Sequence, residues 1–381
     1  MVRLIKVLKQ SLRKTRNNEP ADAASSPPLL SPREVLPLVD DRPLDPRREN
    51  PYCRKAPASS DDASPSNSEW KGTDASSGAS RVLYTNLRAM VALALSGIFQ
   101  KSKIEELLEQ VITVFQSDPY DELLLLSYSV SRKAYLEAHI VNDIILTVAF
   151  GCNLGFSREE LLDLAICAFA HDLGMSQFEE ISRKGQALTQ SEVDDVKQHP
   201  LRSAEIIRPV FGEKIAAVVE AIHERENGQG YPRGIPGSEI HLWAKIIAVC
   251  DTFEALTHPR IFRPLYGPYE AMKIVIKKKD VLFDDVVVKR FVNFLSIYPI
   301  GTIVHLNSGE IAMVVAAHAG VPTCPVVRLL INEKREIEDS RQLIDLADRK
   351  LVYITGVVEP EKEKEIVAFL KPRGQVDIDE T

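Results

Sequence analysis

LLDLAICAFAHDLGM, residues 161–175, is an apolar run that ends in a His-Asp pair, His171-Asp172. Ser157 and the acidic pair Glu159-Glu160 stand just upstream, which reads as a capped helix start. Adjacent residues on a helix point about 100° apart, so His171 and Asp172 can both reach one bundle interior near a helix end. Further candidates follow at intervals of roughly 25–30 residues, namely His199, His223 and Asp251. Upstream, His139 lies in EAHIVNDIILTVAF, flanked by apolar residues, and Asp251 lies in the equally apolar KIIAVCDTFEAL. A buried carboxylate is costly unless it is paired or bound to a cation. Imidazole nitrogen and carboxylate oxygen suit first-row divalent metals, and a carboxylate can bridge two of them. Singly, these residues have plainer readings. His139 could be a hydrogen-bonded core histidine, His199 a capping residue before Pro200, and Asp251 a buried ion-pair partner. Together they read as a metal site assembled from several helices of one bundle.

The surrounding chain divides by texture. In residues 1–16, MVRLIKVLKQSLRKTR, basic residues interleave with apolar ones. This reads either as an amphipathic segment lying on an anionic membrane or a partner, or as a solvated tail. Residues 17–81 are rich in Pro, Ser, Asp and Ala, and read as a disordered linker that buries too little apolar surface to offset its ordering entropy. From residue 82 to 297 apolar residues recur at helical spacing, including Leu83, Leu87, Met90, Val91, Ala94 and Ile98. After Pro299 the pattern alternates. Thr302–Leu306, Ile311–Ala316 and Val326–Ile331 read as strands, with Asn307-Ser308-Gly309 as a turn and Leu351–Ile354 as a further strand. The expected architecture is mainly α: a disordered N-terminal segment, a helical bundle over 82–297, a small C-terminal β module over 298–358, and a charged tail over 359–381.

The net charge of −7 argues against affinity for nucleic-acid polymers. Five scattered cysteines without a CxxC pair read as free thiols in a reducing compartment rather than a zinc site. By this reading no apolar run reaches the roughly 18 residues of a membrane span, and no signal-peptide core is present. The expectation is a soluble cytoplasmic protein, peripheral at the inner membrane if residues 1–16 bind lipid.

Several separate stretches resemble one family. They are AHIVN at 138–142, HDLG at 171–174, QHPLRSAEII at 198–207, HERENGQGYPRGIPGSEI at 223–240, AKIIAVCDTFEALT at 244–257 and FDDVVVKRFV at 283–292. This set resembles the HD-GYP family, a branch of the HD metal-dependent phosphohydrolases. YPIGTIVHLNSGEIAMVV at 298–315 is similar to the β module that often trails that domain. The resemblance implies a helical domain with one or two divalent ions, iron or manganese, hydrolysing cyclic di-GMP by metal-activated water. It implies His139, His171, Asp172 and Asp251 as the basic ligand set, with His171 and Asp172 central to catalysis. It further implies His199 and His223 as ligands of a second ion, with Asp172 bridging. Gly228, Gly230, Tyr231 and Pro232 fall on the GYP loop, which shapes a nucleotide pocket. Arg260 and Arg263 match basic positions able to hold a substrate phosphate through a guanidinium fork.

The chain departs from the family pattern in four places. Ile222 stands where the first of two consecutive histidines is usual, and an isoleucine cannot coordinate. Met175 stands where a lysine usually contacts phosphate. Asn227 replaces a common aspartate, and Tyr135 occupies the position of a glutamate that binds a third metal in some members. The competing expectation is therefore a catalytically weak or inactive signalling module that binds a nucleotide or a protein partner.

Overall fold

The computed structural model describes residues 74–117, 122–127, 134–178, 189–258, 266–318, 321–334, 336, 342–349 and 351–358. The basic segment 1–16, residues 17–73 of the proposed linker, Arg260, Arg263 and the tail 359–381 lie outside the described residues.

The helices are α1 Asp74–Leu95, α2 Lys101–Ser117, α3 Glu122–Leu126, α4 Tyr135–Asn153, α5 Arg158–Ala170, α6 Gln190–Val196, α7 His199–Phe211, α8 Glu213–Ala221, α9 Leu242–Thr257, α10 Pro268–Lys277 and α11 Asp285–Leu295. Short 3-10 turns follow α5 (Leu173–Phe178) and precede α9 (Gly237–Glu239). Local chemistry sets several starts. Ser157 and Glu160 form a reciprocal capping box on α5, Thr189 and Glu192 do the same on α6, and Asp284 accepts from Val286 N and Val287 N at the head of α11.

Helices α4 and α9 form the centre. Both are buried almost all round, which only the middle of a bundle permits. Contrary to the sequence reading, α4 has the length and hydropathy of a membrane span; 78% of its apolar window is buried within the fold, so packing accounts for its composition. Phe150 of α4 meets Phe291 of α11 edge-on at 5.2 Å and Phe294 in parallel at 5.6 Å, and Phe253 of α9 meets Phe291 at 5.5 Å. This aromatic cluster ties α4, α9 and α11 together and holds the two helices that carry His139 and Asp251 in register.

Two helices differ from expectation. Helix α1 begins at Asp74, inside the stretch read as linker. DASSGAS carries no large apolar residue and so shows no periodicity; its helicity propagates from the packed turns at Leu83, Tyr84 and Leu87. Helix α10, absent from the sequence reading, buries Tyr269, Ala271, Met272 and Val275.

The C-terminal strands β1 Ile303–Leu306, β2 Ile311–Ala316, β3 Val326–Ile331, β4 Leu343–Asp345 and β5 Ile354–Val357 form an antiparallel sheet of order β4-β3-β2-β1-β5. The last strand lies later than expected. Leu351 and Tyr353 are exposed and hydrogen-bond to the Asn307 side chain at the β1–β2 turn, so pairing with β1 starts only at Ile354. Strand β4 is three residues long, too short to show alternation. The sheet joins the bundle through a Tyr269–Tyr298 stack at 5.4 Å and a 2.7 Å hydrogen bond from Ser296 Oγ to Pro322 O.

Candidate metal centre

Helix ends supply four of the six candidate ligands, and helix interiors supply the other two. His139 sits in the second turn of α4 and Asp251 in the third turn of α9. His171 caps the C-terminus of α5 with Asp172 next, His199 opens α7, and His223 follows the end of α8. A small residue makes the close approach possible. A Cβ on Gly174 would lie 2.4 Å from His199 O, so glycine alone lets the start of α7 rest against the His-Asp turn. Ser203 locks the contact: its Oγ donates to His171 O at 2.8 Å and accepts from Gly174 N at 2.9 Å.

The result is two buried groups. His139, His171 and Asp251 form one, and Asp172, His199 and His223 the other; within each, ligand atoms lie within 4.8 Å of one another. Asp172 stands between them. Its Oδ2 is 3.5 Å from His139 Nε2, and its Oδ1 is 3.7 Å from His171 Nε2, 3.1 Å from His199 Nε2 and 3.8 Å from His223 Nε2. His139 Nε2 is also 3.3 Å from Asp251 Oδ1. None of His139 Nε2, His171 Nε2, His199 Nε2, either His223 nitrogen or either Asp172 oxygen finds a hydrogen-bond partner. Orphaned buried polar atoms cost about 1–3 kcal/mol each. A convergent set of such atoms, all imidazole nitrogen or carboxylate oxygen, fits divalent cations.

Outer contacts choose the tautomers. His171 Nδ1 faces Ala168 O at 2.7 Å and His199 Nδ1 faces Val196 O at 2.8 Å, so each donates there and leaves Nε2 available to ligate a cation. His139 Nδ1 donates to Glu254 Oε2. His223 has no such anchor: its ring stacks on Tyr231 with centroids 5.0 Å apart and meets His199 edge-on at 4.7 Å.

Electrostatics separates the groups further. Burial disfavours the charged form of His139, but Glu254, Tyr135, Asp172 and Asp251 outweigh it and hold its pKa well above the ordinary value. Burial instead dominates at His223, whose pKa falls to about 4, so the ring is neutral near pH 7. Burial opposes ionisation of Asp172, yet His171, His139 and His199 hold it well below the usual carboxylate range. Asp251 is likewise held low, by His139 and His223 against its own burial. Both aspartates are carboxylates, ready to ligate.

The GYP loop is held by Glu224, a buried residue whose carboxylate accepts from Arg233 N, Gly234 N and Ile235 N at 2.7–3.1 Å. A Cβ on Gly230 would lie 2.4 Å from Glu224 Cα, so this glycine serves loop packing, and Gly228 takes φ +68°. Tyr231, placed by this loop, forms the wall beside His223, with Pro232 next to it and partly exposed.

The departures have distinct structural settings. Ile222 is fully buried in the hydrophobic core, and Met175 packs with Val193, Val196, Leu136 and Phe178. Tyr135 lies parallel to His139 at 5.7 Å. Asn227 Oδ1 accepts from Gln229 N at 3.1 Å, closing an Asx turn.

Sequence reading missed four residues around the ligands: Glu254, Asn142, Asp143 and Ser203. Glu254 and Asn142 each stand three residues after a ligand on the same helix, Asp143 four after His139 and Ser203 four after His199, a spacing that places side chains on one face. Asp143 Oδ2 is 3.6 Å from His171 Nδ1, and burial followed by the charge of Asp251 push the Asp143 carboxyl well above its ordinary pKa.

Residues 131–287 match the model of the HD domain, and residues 303–366 match that of a KOW domain associated with the HD domain. The chain is 28% identical over 206 residues to the cyclic di-GMP phosphodiesterase PdeB of Borreliella burgdorferi, covering 54% of each protein. It is 28% identical over 217 residues to a cyclic di-GMP phosphodiesterase of Pseudomonas aeruginosa, covering 56% of this chain and 52% of that protein. It is 31% identical over 179 residues to 3'3'-cGAMP-specific phosphodiesterase 1 of Vibrio cholerae, covering 46% of this chain and 39% of that protein. The chain thus spans about half the length, or less, of these curated relatives.

Proposed function

We propose, from the premise that this chain belongs to the HD domain family through residues 131–287, that it is a metal-dependent phosphodiesterase hydrolysing cyclic di-GMP. The observation that carries this reading is Asp172, whose two oxygens face two buried ligand groups 3.5 Å and 3.1 Å away at His139 and His199. His139, His171 and Asp251 would hold the first divalent ion, iron or manganese, and His199 and His223 the second, with Asp172 shared. Bound divalent ions acidify water and neutralise charge that builds on a phosphoryl oxygen. The protein residues supply the rest. Asp172 and Asp251 stay ionised in a buried site, the tautomers of His139, His171 and His199 are preset, and Tyr231 offers a ring face at the edge of the second group. Arg260 and Arg263 would grip the substrate phosphates. We place the protein in the cytoplasm, with residues 1–16 as its contact with the inner membrane.

The relatives support a cyclic dinucleotide as substrate, with cyclic di-GMP and 3'3'-cGAMP both represented among them. The burial of Ile222 and Met175 in apolar surroundings favours, as a second reading, a module that binds nucleotide without turning it over. Anaerobic purification, metal analysis and turnover assays with cyclic di-GMP and 3'3'-cGAMP separate these. Linearised cyclic di-GMP from iron- or manganese-loaded protein is expected. Binding without turnover of either dinucleotide would transfer the case to the second reading, and faster turnover of 3'3'-cGAMP would change the substrate.

A further inference from the structure

Glu254 is 2% exposed and stands one turn beyond Asp251 on α9. Its Oε2 accepts from His139 Nδ1, and its Oε1 accepts from Asn142 Nδ2 at 3.1 Å. Asn142 stands one turn beyond His139 on α4, and its Oδ1 accepts from Tyr84 OH at 2.9 Å. The Glu254 carboxylate, which only accepts, decides the amide orientation, so Nδ2 with its two hydrogens faces it and Oδ1 is left for Tyr84. One hydrogen points to Glu254, and the other to His258 Nε2 at 3.1 Å. His258 Nε2 is then an acceptor, which puts the His258 proton on Nδ1, where it is donated to the backbone carbonyl Glu254 O at 3.0 Å. Two side-chain donors, His139 Nδ1 and Asn142 Nδ2, therefore converge on one carboxylate, and His258 holds the main chain of the same residue. His139 must present Nδ1–H to that carboxylate, and Nε2 is left to face Asp172 and Asp251.

We propose that Glu254 is a positioning residue for the metal ligand His139, and that Asn142 and Tyr84 extend this relay into helix α1. Helix α1 lies upstream of the matched HD domain, residues 131–287, so the affinity of the first ion answers to a helix outside that domain. The inference rests on the metal-centre reading above. A structural polar cluster alone would need only satisfied hydrogen bonds. Here the chain of bonds ends on the one ring atom opposite a ligand nitrogen.

The test uses the full chain, stripped of metal and titrated with Co²⁺ alone, together with ¹⁵N-histidine spectra of the metal-free protein. Glu254→Gln leaves one acceptor oxygen where two donors meet. Loss of such an outer partner is expected to weaken the first site about 10- to 100-fold and to shift the His139 Nδ1 resonance. Tyr84→Phe, which keeps the ring and removes the donor, should weaken it several-fold without loss of fold. Should Glu254→Gln fail to fold, Tyr84→Phe decides alone. Wild-type affinity and an unmoved His139 resonance in the folded variants would overturn the relay while leaving the metal centre intact. A wild-type chain that takes up no Co²⁺ would instead overturn the metal-centre reading, and the relay's role with it.

Discussion

The two ligand groups are built from the same chemistry and held in different ways. In the first, His139 and His171 each have a fixed acceptor for Nδ1, and Asp251 rides on a helix buried almost all round. In the second, His199 is fixed, but His223 has neither nitrogen engaged and is kept in place by ring stacking on Tyr231. Its chain neighbour Ile222 contributes volume to the core rather than a ligand. Coordination strength depends on ligand number and on how well the outer contacts preset each ligand. On the proposed reading, the first group should therefore be the tighter site, and the second should depend on the shared Asp172.

The largest test of that contrast removes what the groups share. Asp172→Ala should abolish binding of both ions by metal analysis and lower turnover by on the order of 10²–10³-fold or more. A variant that keeps one full equivalent of metal would show that the groups are independent. Next in size, Ile222→His adds a ligand candidate to the second group. Without metal, a buried imidazole lacking a partner should lower stability by about 1–3 kcal/mol. With manganese, that loss should be recovered, and the second ion should bind on the order of tenfold tighter. Melting curves with and without metal read both, and an equal loss in both conditions would mean that position 222 does not face the ion.

The smallest effect is in pH. His139 has a raised pKa and therefore carries, near pH 7, an Nε2 proton that a cation must displace. Affinity at the first group should rise about tenfold per pH unit and level off once pH exceeds the raised value. His223, depressed to about 4, is already neutral there and adds no such slope. Its own linkage has the opposite site of action: the unfolded chain takes up a proton near its ordinary value of 6.5, so stability is lost as pH falls from there towards about 4. Calorimetry in buffers of different ionisation enthalpy counts the proton released on binding, and zero protons at pH 7 would refute the assignment.

Much of the site is legible in the amino-acid sequence. His171-Asp172 at the end of an apolar run, and His139 and Asp251 inside apolar runs, announce themselves because a polar group in such a place needs a reason. Glu254 and Asn142 lie in the same two runs, but their pairing with His139 and with each other does not show there. Their burial depends on α4 and α9 facing each other. The start of α1 at Asp74 and the late start of β5 are equally invisible, the first through lack of periodicity and the second because Asn307 holds Leu351 and Tyr353 out of the sheet.

By itself, the sequence determined the helical class and the trailing strands, because periodicity is a local property, and its resemblance to a family picked out the six candidate ligands. Tertiary structure alone decided how those ligands are shared. Which oxygen of Asp172 faces which group, which ring nitrogen His139 offers, and that Tyr84 reaches His139 through two other side chains depend on distances between segments far apart in the chain. Such distances are set by packing, and no local pattern encodes them.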